Sequence, residues 1–220
     1  MHQLPATFEE VFTLPAESRL ELSQQAFVFR ALACSRLDAI IADLQGLLLK
    51  SPLRHMVTPG GATMSVAMSN CGELGWITER RGYRYVSIDP QTGERWPPMP
   101  VSFSELARTA ADNAGFPGFS PDACLINRYL PGARLSMHQD INERDFSAPI
   151  VSVSLGMSAV FLFGGHQRNV KPTRVPLVHG DVVAWGGGDR LRFHGVAPIK
   201  GSPHPLLGAQ RINLTFRKAD

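Results

Sequence analysis

The sequence predicts an α+β protein that is mainly β, with a jelly roll (double-stranded β-helix) as its core and a few supporting helices. From about residue 123 the chain consists of short strand-like runs separated by Gly, Pro and polar turns, with no long helix between them. Many short strands without intervening helices favour a β-sandwich or jelly roll over a parallel α/β fold. The predicted strands cover residues 124–129, 150–155, 160–163, 175–178, 181–185 and 211–217.

Two amphipathic helices are predicted ahead of these strands. Residues 35–50 repeat leucine and isoleucine at helical spacing behind Ser35, a residue type that caps helix N-termini. Residues 102–114 place Phe103 and a row of alanines on one face, and Gly115 supplies the stop. Both helices are expected to pack on the sheet as supports.

The rest of the N-terminal half is less regular. Residues 1–30 carry no strong pattern. Residues 52–100 are rich in Pro and Gly and hold short extended pieces at 63–69 and 83–87, as expected for loops and hairpins over a sheet. No linker, repeat or low-complexity tract interrupts the sequence, which favours one domain over residues 1–220.

Composition narrows the classes of protein that fit. With 44% hydrophobic and 19% charged residues the chain reads as globular and not disordered. A net charge of +3 and a pI near 9.0 suit a polyanionic partner without demanding one. Cys34, Cys71 and Cys124 are widely spaced and form no C-x-x-C pair, so we predict neither a disulfide framework nor a thiolate zinc site, and expect a reducing, cytoplasmic location. No apolar run approaches the roughly 18 residues of a membrane-spanning helix.

His138 and Asp140 form an H-x-D pair. On an extended segment, residues two apart point to the same face, so the imidazole and the carboxylate can bind one ion. His194 is the best candidate for a third ligand, because it follows a predicted strand and a Gly-rich turn and can arrive from a neighbouring strand. Two His and one carboxylate suit non-haem Fe(II) and leave coordination positions open. His166 and His179 lie in turns, where a solvent-facing or capping role suits them better.

The C-terminal strand has two chemically distinct faces. Alternation puts Arg211, Asn213, Thr215 and Arg217 on one face and apolar residues on the other. An ordinary half-buried strand would turn this polar face to water. In a jelly roll both sheets have an inward face, so two arginines near a metal could instead bind a dicarboxylate through paired N–H···O bonds. Arg211 and Arg217 lie about 20 Å apart when fully extended. Their side chains therefore either reach towards each other or have different roles.

Together, the H-x-D pair, His194 and the polar face of the C-terminal strand resemble the AlkB family of Fe(II)- and 2-oxoglutarate-dependent dioxygenases. Supporting stretches are the Asn-Arg-Tyr at residues 127–129 and the runs at 149–156 and 179–187. The similarity is to the bacterial enzymes that repair alkylated DNA by demethylation, and it extends over about residues 51–217. The combination is specific to the family, although no single motif is.

The resemblance implies the cofactors Fe(II), 2-oxoglutarate and O2. The iron ligands and catalytic residues would be His138, Asp140 and His194. The residues binding 2-oxoglutarate, with Arg211 on its far carboxylate, would be Asn127, Tyr129, Arg211, Asn213 and Arg217. The implied reaction couples decarboxylation of 2-oxoglutarate to hydroxylation of an N-methyl group, and loss of formaldehyde then restores a base such as adenine from 1-methyladenine or cytosine from 3-methylcytosine.

The resemblance also implies a nucleic-acid substrate: alkylated single- or double-stranded DNA, with RNA as a further candidate, acted on by a monomer. Residues of about 51–100 would form a nucleotide-recognition lid, and about 122–217 the catalytic core. The damaged base would be flipped out of the helix and stacked on Trp76, with His138 on its other face. The residues predicted to contact the substrate are Trp76, Tyr83, Arg84, Tyr85, Asn142 and Arg168, and Arg134 is a further phosphate candidate.

Asn142 departs from the family pattern. Bacterial relatives can carry an aspartate at this position, two residues after the metal-binding Asp140 and placed to meet the base. An amide lacks the charge that attracts a cationic lesion, although Glu143 keeps an acidic side chain next to it. The sequence therefore leaves the base preference open.

Two other functions stay open at the level of sequence. The same cofactors could serve a hydroxylase of a protein side chain or small metabolite, because the jelly roll hosts many substrates. Trp76, Tyr83 and the basic run at 80–85 speak against that reading. The chain could also be a non-catalytic nucleic-acid-binding module with a structural or zinc-binding triad, but a structural metal favours a closed set of four ligands.

Overall fold

The computed structural model of the protein describes residues 4–15 and 18–220. Helices, two antiparallel sheets and a separate hairpin make up the fold. The helices are α1 (Phe8–Thr13), α2 (Leu37–Lys50) and α3 (Val101–Asn113). The strands are β1 (Arg19–Ser23), β2 (Ala26–Phe29), β3 (Arg54–Val57), β4 (Thr63–Gly72), β5 (Gly75–Glu79), β6 (Gly82–Val86), β7 (Ala123–Tyr129), β8 (Leu135–His138), β9 (Ile150–Gly156), β10 (Ala159–Phe163), β11 (Thr173–Leu177), β12 (Val182–Trp185), β13 (His194–Val196) and β14 (Arg211–Arg217).

The strands form the predicted jelly roll. The large sheet has the order β1-β2-β12-β9-β14-β7-β4-β3, and the small sheet has the order β11-β10-β13-β8. The hairpin pairs β5 with β6. Neighbouring strands in both sheets run antiparallel, as expected for a fold whose connections are turns and not crossover helices.

The large sheet has a different chemistry on each face, and β14 shows the difference most clearly. Ile212, Leu214 and Phe216 join a buried apolar cluster that includes residues of α2 and α3. The other face, which begins with Arg211 and ends with Arg217, lines the space between the two sheets. All seven residues of β14 are buried. The alternative interpretation, in which β14 is an ordinary half-buried strand whose polar face meets water, is therefore wrong.

A second apolar cluster holds the two sheets face to face. Phe161 and Phe163 of β10 pack with Trp185 of β12 and Ile150 of β9. Phe161 lies 5.8 Å from Trp185 between ring centroids. Each of these aromatic side chains buries a large apolar area, so together they contribute strongly to the stability of the contact between the sheets.

The predicted strands of the C-terminal half agree with the structure to within two residues at each end. Two short strands, β8 and β13, were not predicted. The four described residues of β2 are all buried, because β2 lies inside the large sheet between β1 and β12. A strand buried on both faces shows no alternation, and this explains why the region before residue 30 gave no recognisable pattern.

The predicted helices are α2 and α3, with one correction. Helix α3 begins and ends one residue before its predicted bounds, and α2 begins at Leu37. Ser35 is not its N-cap, because residues Cys34–Arg36 form a 3₁₀ turn closed by a backbone bond from Arg36 N–H to the Ala33 carbonyl. None of the helices in the described residues is long and apolar enough to cross a lipid bilayer.

We predict that Gly72→Ala destabilises the fold, while Gly46→Ala does not. Gly72 ends β4 with φ of +113°, and a Cβ there would stand 2.3 Å from the Asp122 carbonyl oxygen, a backbone atom that cannot swing away. The strained conformation costs about 1–3 kcal/mol, and overpacking adds roughly as much again. Gly46 lies within α2 with open space around it, so alanine should stabilise the helix by about 0.5–1 kcal/mol. Urea unfolding of both variants checks this; equal stability would contradict it.

Candidate metal centre and cofactor cleft

The predicted triad comes together at the edge of the small sheet. His138 is the last residue of β8 and His194 is the first residue of β13, and the two are direct partners in the antiparallel pairing of these strands. Their ring centroids lie 4.4 Å apart. Asp140 follows just after β8, and one ligand atom from each of the three residues falls within 4.8 Å of the other two.

The two histidines present the same nitrogen to a metal. Nδ1 of His138 lies 2.8 Å from the Ser136 carbonyl oxygen, and Nδ1 of His194 lies 3.0 Å from that of Arg192. A carbonyl oxygen can only accept a hydrogen bond, so each Nδ1 carries the N–H. Nε2 is then the nitrogen that can bind a metal. Burial, helped by the neighbouring His194, lowers the pKa of His138 to about 4, so its imidazole is neutral at neutral pH.

Asp140 supplies the charged ligand, and Arg217 holds it in place. Arg217 donates from Nε to Oδ2 of Asp140 at 2.8 Å, and its Nη2 lies 2.7 Å from the same oxygen. Burial would raise the pKa of the Asp140 carboxyl, but Arg217 and then His194 hold it well below its ordinary value. The carboxylate therefore stays ionised, with its two oxygens 3.6 Å from the Nε2 atoms of His138 and His194. Two imidazoles and one carboxylate, open towards a cavity, fit Fe(II).

Arg211 lies deeper in the same cleft with unused donors. Its side chain is 1% exposed, and Nη2 donates to Ser154 Oγ at 3.0 Å. Nε and Nη1 have no partner within the described residues. Buried N–H groups without partners are rare and costly, so these unused donors on one guanidinium fit an anionic ligand such as a carboxylate. Burial lowers the pKa of Arg211, but an arginine remains charged.

The register of β14 with β7 places the other predicted 2-oxoglutarate residues beside Arg211. Tyr129 pairs with Arg211, and Asn127 pairs with Asn213. The Arg211 guanidinium carbon lies 5.1 Å from the centre of the Tyr129 ring. Asn127 keeps an unused Oδ1, whereas the Asn213 amide is fully bonded to neighbouring groups of the protein. Asn213 therefore forms part of the pocket wall, and Arg217 contacts the metal ligand Asp140.

One cavity of about 620 Å³ connects the triad, Arg211 and the protein surface. Near its mouth Trp76 stacks on Tyr83, with ring centroids 5.5 Å apart and planes 16° from parallel. Trp76 Nε1 donates to Asn142 Oδ1 at 3.2 Å. Arg168 also lines the cavity and stands over the Phe193 ring. A cleft that combines apolar and aromatic walls with convergent polar and charged groups is typical of a ligand site.

Arg84 and Tyr85 are placed differently from the other predicted substrate residues. Neither is among the described residues that line the cavity. Arg84 pairs with Glu79 across the β5–β6 hairpin, at 2.7 Å and largely in solvent. The Tyr85 hydroxyl donates to Glu143 Oε1 at 2.6 Å.

Three residues of the site, Ser152, Ser154 and Arg190, had not been singled out from the sequence, and Glu143 had been noted only for its acidic side chain. Ser152 and Ser154 of β9 bond to Asn213 and Arg211, and their alternation with Val151, Val153 and Leu155 was a signal that could have found them. Glu143 and Arg190 form a buried ion pair behind Asp140 at 3.2 Å. No local pattern marks that pair, because its partners are far apart in sequence.

Comparison with known proteins agrees with this geometry. The chain matches the sequence profile of the 2OG-Fe(II) oxygenase superfamily over residues 30–217. It is 56% identical over 198 residues to the Escherichia coli (strain K12) protein "Alpha-ketoglutarate-dependent dioxygenase AlkB", covering 90% of this chain and 92% of that one. It is 37% identical over 174 residues to the Arabidopsis thaliana "DNA N(6)-methyladenine demethylase ALKBH1D", covering 67% of this chain and 38% of that one. The solved structure titled "The structure of OsALKBH1" superposes with a TM-score of 0.81 at 30% identity, covering 91% of this chain and 100% of that one.

We predict that His194→Ala abolishes tight Fe(II) binding, whereas His166→Ala leaves it unchanged. His194 is one of only three protein ligands in the triad, while His166 is exposed in a turn. Removing an outer partner of a metal ligand already costs about 10–100-fold in affinity, so loss of the ligand itself should exceed that. Anaerobic Fe(II) titration measures the effect. Wild-type affinity in the His194 variant would remove this residue from the triad.

A second prediction concerns Arg211. Arg211→Ala should raise the 2-oxoglutarate KM steeply while leaving oligonucleotide affinity nearly unchanged, because loss of one partner of a buried charge pair costs on the order of 3–5 kcal/mol. Arg211→Lys keeps the charge but not the forked N–H donors, so its 2-oxoglutarate KM should lie between that of the wild type and that of Arg211→Ala. Steady-state kinetics with varied 2-oxoglutarate provide the measurement, and an unchanged KM would show that the free donors of Arg211 do not bind the cosubstrate.

Proposed function

The chain belongs to the AlkB family within the 2OG-Fe(II) oxygenase superfamily, and from that membership we propose that it removes methyl groups from damaged bases of DNA by oxidation. It is an Fe(II)- and 2-oxoglutarate-dependent dioxygenase, and its reaction is oxidative demethylation of alkylated nucleic-acid bases. Its cofactors are Fe(II), 2-oxoglutarate and O2. The lesions we propose are of the 1-methyladenine and 3-methylcytosine type.

One observation supports this proposal above the others: the open triad and the unused donors of Arg211 lie in one cavity whose mouth carries a stacked Trp76–Tyr83 pair. When bound, Fe(II) and 2-oxoglutarate supply the oxidation of the methyl C–H bond by O2, with CO2 and succinate as coproducts. The residues of the chain hold these groups, orient the base and exclude water. Arg211 fixes the far carboxylate of 2-oxoglutarate, so that its 2-oxo acid end faces the triad.

The base would bind at the aromatic part of the cavity. A base flipped out of the helix loses its stacking partners, and an aromatic ring on either side restores them. Trp76 and His138 both line the cavity and are proposed to be those rings, with Tyr83 supporting Trp76. Arg168 at the cavity mouth is proposed to contact a phosphate.

The lid proposed for residues of about 51–100 contains the β5–β6 hairpin, which carries both Trp76 and Tyr83. Asn142 stands opposite this hairpin and accepts the Trp76 N–H bond. Its amide can read a base by hydrogen bonds but adds no negative charge, so we propose weaker preference for cationic over neutral lesions than an aspartate would give.

Other expectations from the sequence stay predictions: RNA as a second substrate, a monomeric state, a cytoplasmic location, and the division into a lid and a catalytic core of about residues 122–217. A hydroxylase of a protein side chain, or a non-catalytic binding module, has no specific observation in its favour. Of the relatives described above, one is named as a dioxygenase and one as a base demethylase.

The experiment that tests the proposal mixes the protein anaerobically with Fe(II) and 2-oxoglutarate, adds a methylated oligonucleotide and then admits O2. Succinate and formaldehyde should appear together, in equal amounts, and mass spectrometry should show the unmethylated oligonucleotide. If succinate formed without formaldehyde on every methylated DNA and RNA tested, the protein would still be a dioxygenase, but base demethylation would not be its reaction. A panel of 1-methyladenine, 3-methylcytosine and neutral 1-methylguanine sites reads the base preference in the same assay.

We predict that Trp76→Ala damages repair more than it damages substrate-free oxidation of 2-oxoglutarate. Loss of one stacking partner is worth about 1–3 kcal/mol per base, or roughly tenfold to a hundredfold in affinity. Fe(II) and 2-oxoglutarate binding should be affected much less than repair, because the hydrogen bond that links Trp76 to the metal-binding segment goes to Asn142 and not to a metal ligand. If Trp76 were instead essential to the core, truncation would cost about 3–5 kcal/mol of stability and lower every activity together. The melting temperature, succinate production and demethylation of the variant separate the two.

A further inference from the structure

The β5–β6 hairpin is fastened to the segment that carries the metal ligand. Two side-chain hydrogen bonds make the connection: Trp76 Nε1 donates to Asn142, and the Tyr85 hydroxyl donates to Glu143. Trp76 and Tyr85 are direct partners across the hairpin. Asn142 and Glu143 stand two and three residues after Asp140. A displacement of the hairpin would therefore pull directly on the chain next to the metal.

Tyr85 is better suited to this fastening than to contact with a base. Its side chain is half-buried and does not line the cavity, and its hydroxyl lies 2.6 Å from Glu143 Oε1. Burial, together with the nearby Glu143 carboxylate and despite the opposing charge of Arg217, raises the pKa of Tyr85 well above its ordinary value. The phenol thus stays protonated and acts as the donor to Glu143.

Glu143 in turn competes with the metal ligand for the same guanidinium. Glu143 is 5% exposed and lies 3.3 Å from Arg217 Nε through the oxygen that accepts from Tyr85. Arg217 makes its shorter contacts with Asp140, at 2.8 and 2.7 Å. The other Glu143 oxygen lies 3.2 Å from Arg190, which also donates to the Asp140 backbone carbonyl. All these charged groups are buried, and a buried carboxylate oxygen without a hydrogen-bond donor costs free energy.

We propose that Tyr85 and Glu143 are positioning residues through which the docked hairpin keeps Arg217 on Asp140. With Tyr85 in place, Glu143 Oε1 has a donor and leaves the near-optimal Arg217–Asp140 contact undisturbed. Without that donor, Glu143 draws Arg217 towards itself, and the Asp140 carboxylate loses the bonds that orient it to the metal. The state of the base-recognition hairpin is thereby communicated to the iron centre. This inference rests on the proposed function only in naming the hairpin a base-recognition element.

The first test uses the metal-free protein and needs no turnover. Tyr85→Phe keeps the ring and removes only the hydroxyl, so the fold should survive. Hydrogen–deuterium exchange should become faster in Gly75–Glu79, in Gly82–Val86 and in residues 140–143, while the large sheet keeps its protection. Glu79→Gln is the matched control, because it breaks the exposed Glu79–Arg84 pair in the same hairpin without touching Glu143. Its exchange in residues 140–143 should equal that of the wild type.

The second test reads the metal geometry directly. In the anaerobic Fe(II)–2-oxoglutarate complex without nucleic acid, Tyr85→Phe should shift or weaken the visible charge-transfer absorption. Glu143→Gln, which removes the charge that competes for Arg217, and Glu79→Gln should not. With a methylated oligonucleotide, formaldehyde formed per succinate should fall by about tenfold in Tyr85→Phe, the effect of one lost hydrogen bond to a charged group. The double variant Tyr85→Phe with Glu143→Gln should recover most of this loss, because no carboxylate at position 143 then draws Arg217 away from Asp140.

An unchanged spectrum and product ratio in Tyr85→Phe, with faster exchange confined to the hairpin, would overturn the proposal and make Tyr85 an anchor of the hairpin alone. A double variant as impaired as Tyr85→Phe alone would overturn it as well. If the wild type formed no formaldehyde from any methylated oligonucleotide while the exchange and absorption changes appeared as expected, the proposed function would fail and the positioning role would stand.

Discussion

A carboxylate that binds a metal inside a protein must stay ionised and must point in one direction, and here both requirements are met by Arg217. The Asp140–Arg217 pair is buried on both sides, so its charges are taken out of water at a cost that only close contact repays. That contact brings two guanidinium nitrogens to one oxygen, Nε by a hydrogen bond at 2.8 Å and Nη2 at 2.7 Å. The other oxygen is left free to face His138. The metal ligand, the C-terminal strand and the docked hairpin are all tied to this pair.

The same constraint explains the unusual composition of β14. Its apolar face supports the helices, and its polar face is buried because it lines the cavity. Arg211 and Arg217 lie six residues apart along an extended strand. Arg217 has Asp140 as its anionic partner, whereas Arg211 keeps unused donors that we propose bind a carboxylate of the cosubstrate. Two buried cations on one strand would be strongly destabilising if both lacked partners. One therefore binds a permanent partner, and the other is kept for a ligand.

The sequence predicted the jelly roll, most strands of its C-terminal half and the triad, because alternation and the H-x-D spacing are local patterns. It missed β8 and β13, which are only four and three residues long, although they bring His138 and His194 together. Tyr83 and Tyr85 lie on the same face of the hairpin two residues apart, and only their place along it decides that one reaches the cavity and the other Glu143. The buried pair of Glu143 and Arg190 is equally a product of the fold, since its partners meet only when distant segments pack.

The division of roles between the two arginines is tested most directly by a crystal structure of the protein with Mn(II), a stand-in for Fe(II) that does not turn over, and 2-oxoglutarate. We predict a metal bound by Nε2 of His138 and His194 and by an oxygen of Asp140. The far carboxylate of 2-oxoglutarate should lie on the guanidinium of Arg211, and Arg217 should remain on Asp140. A far carboxylate held by Arg217, with the Asp140–Arg217 contact broken, would contradict this assignment.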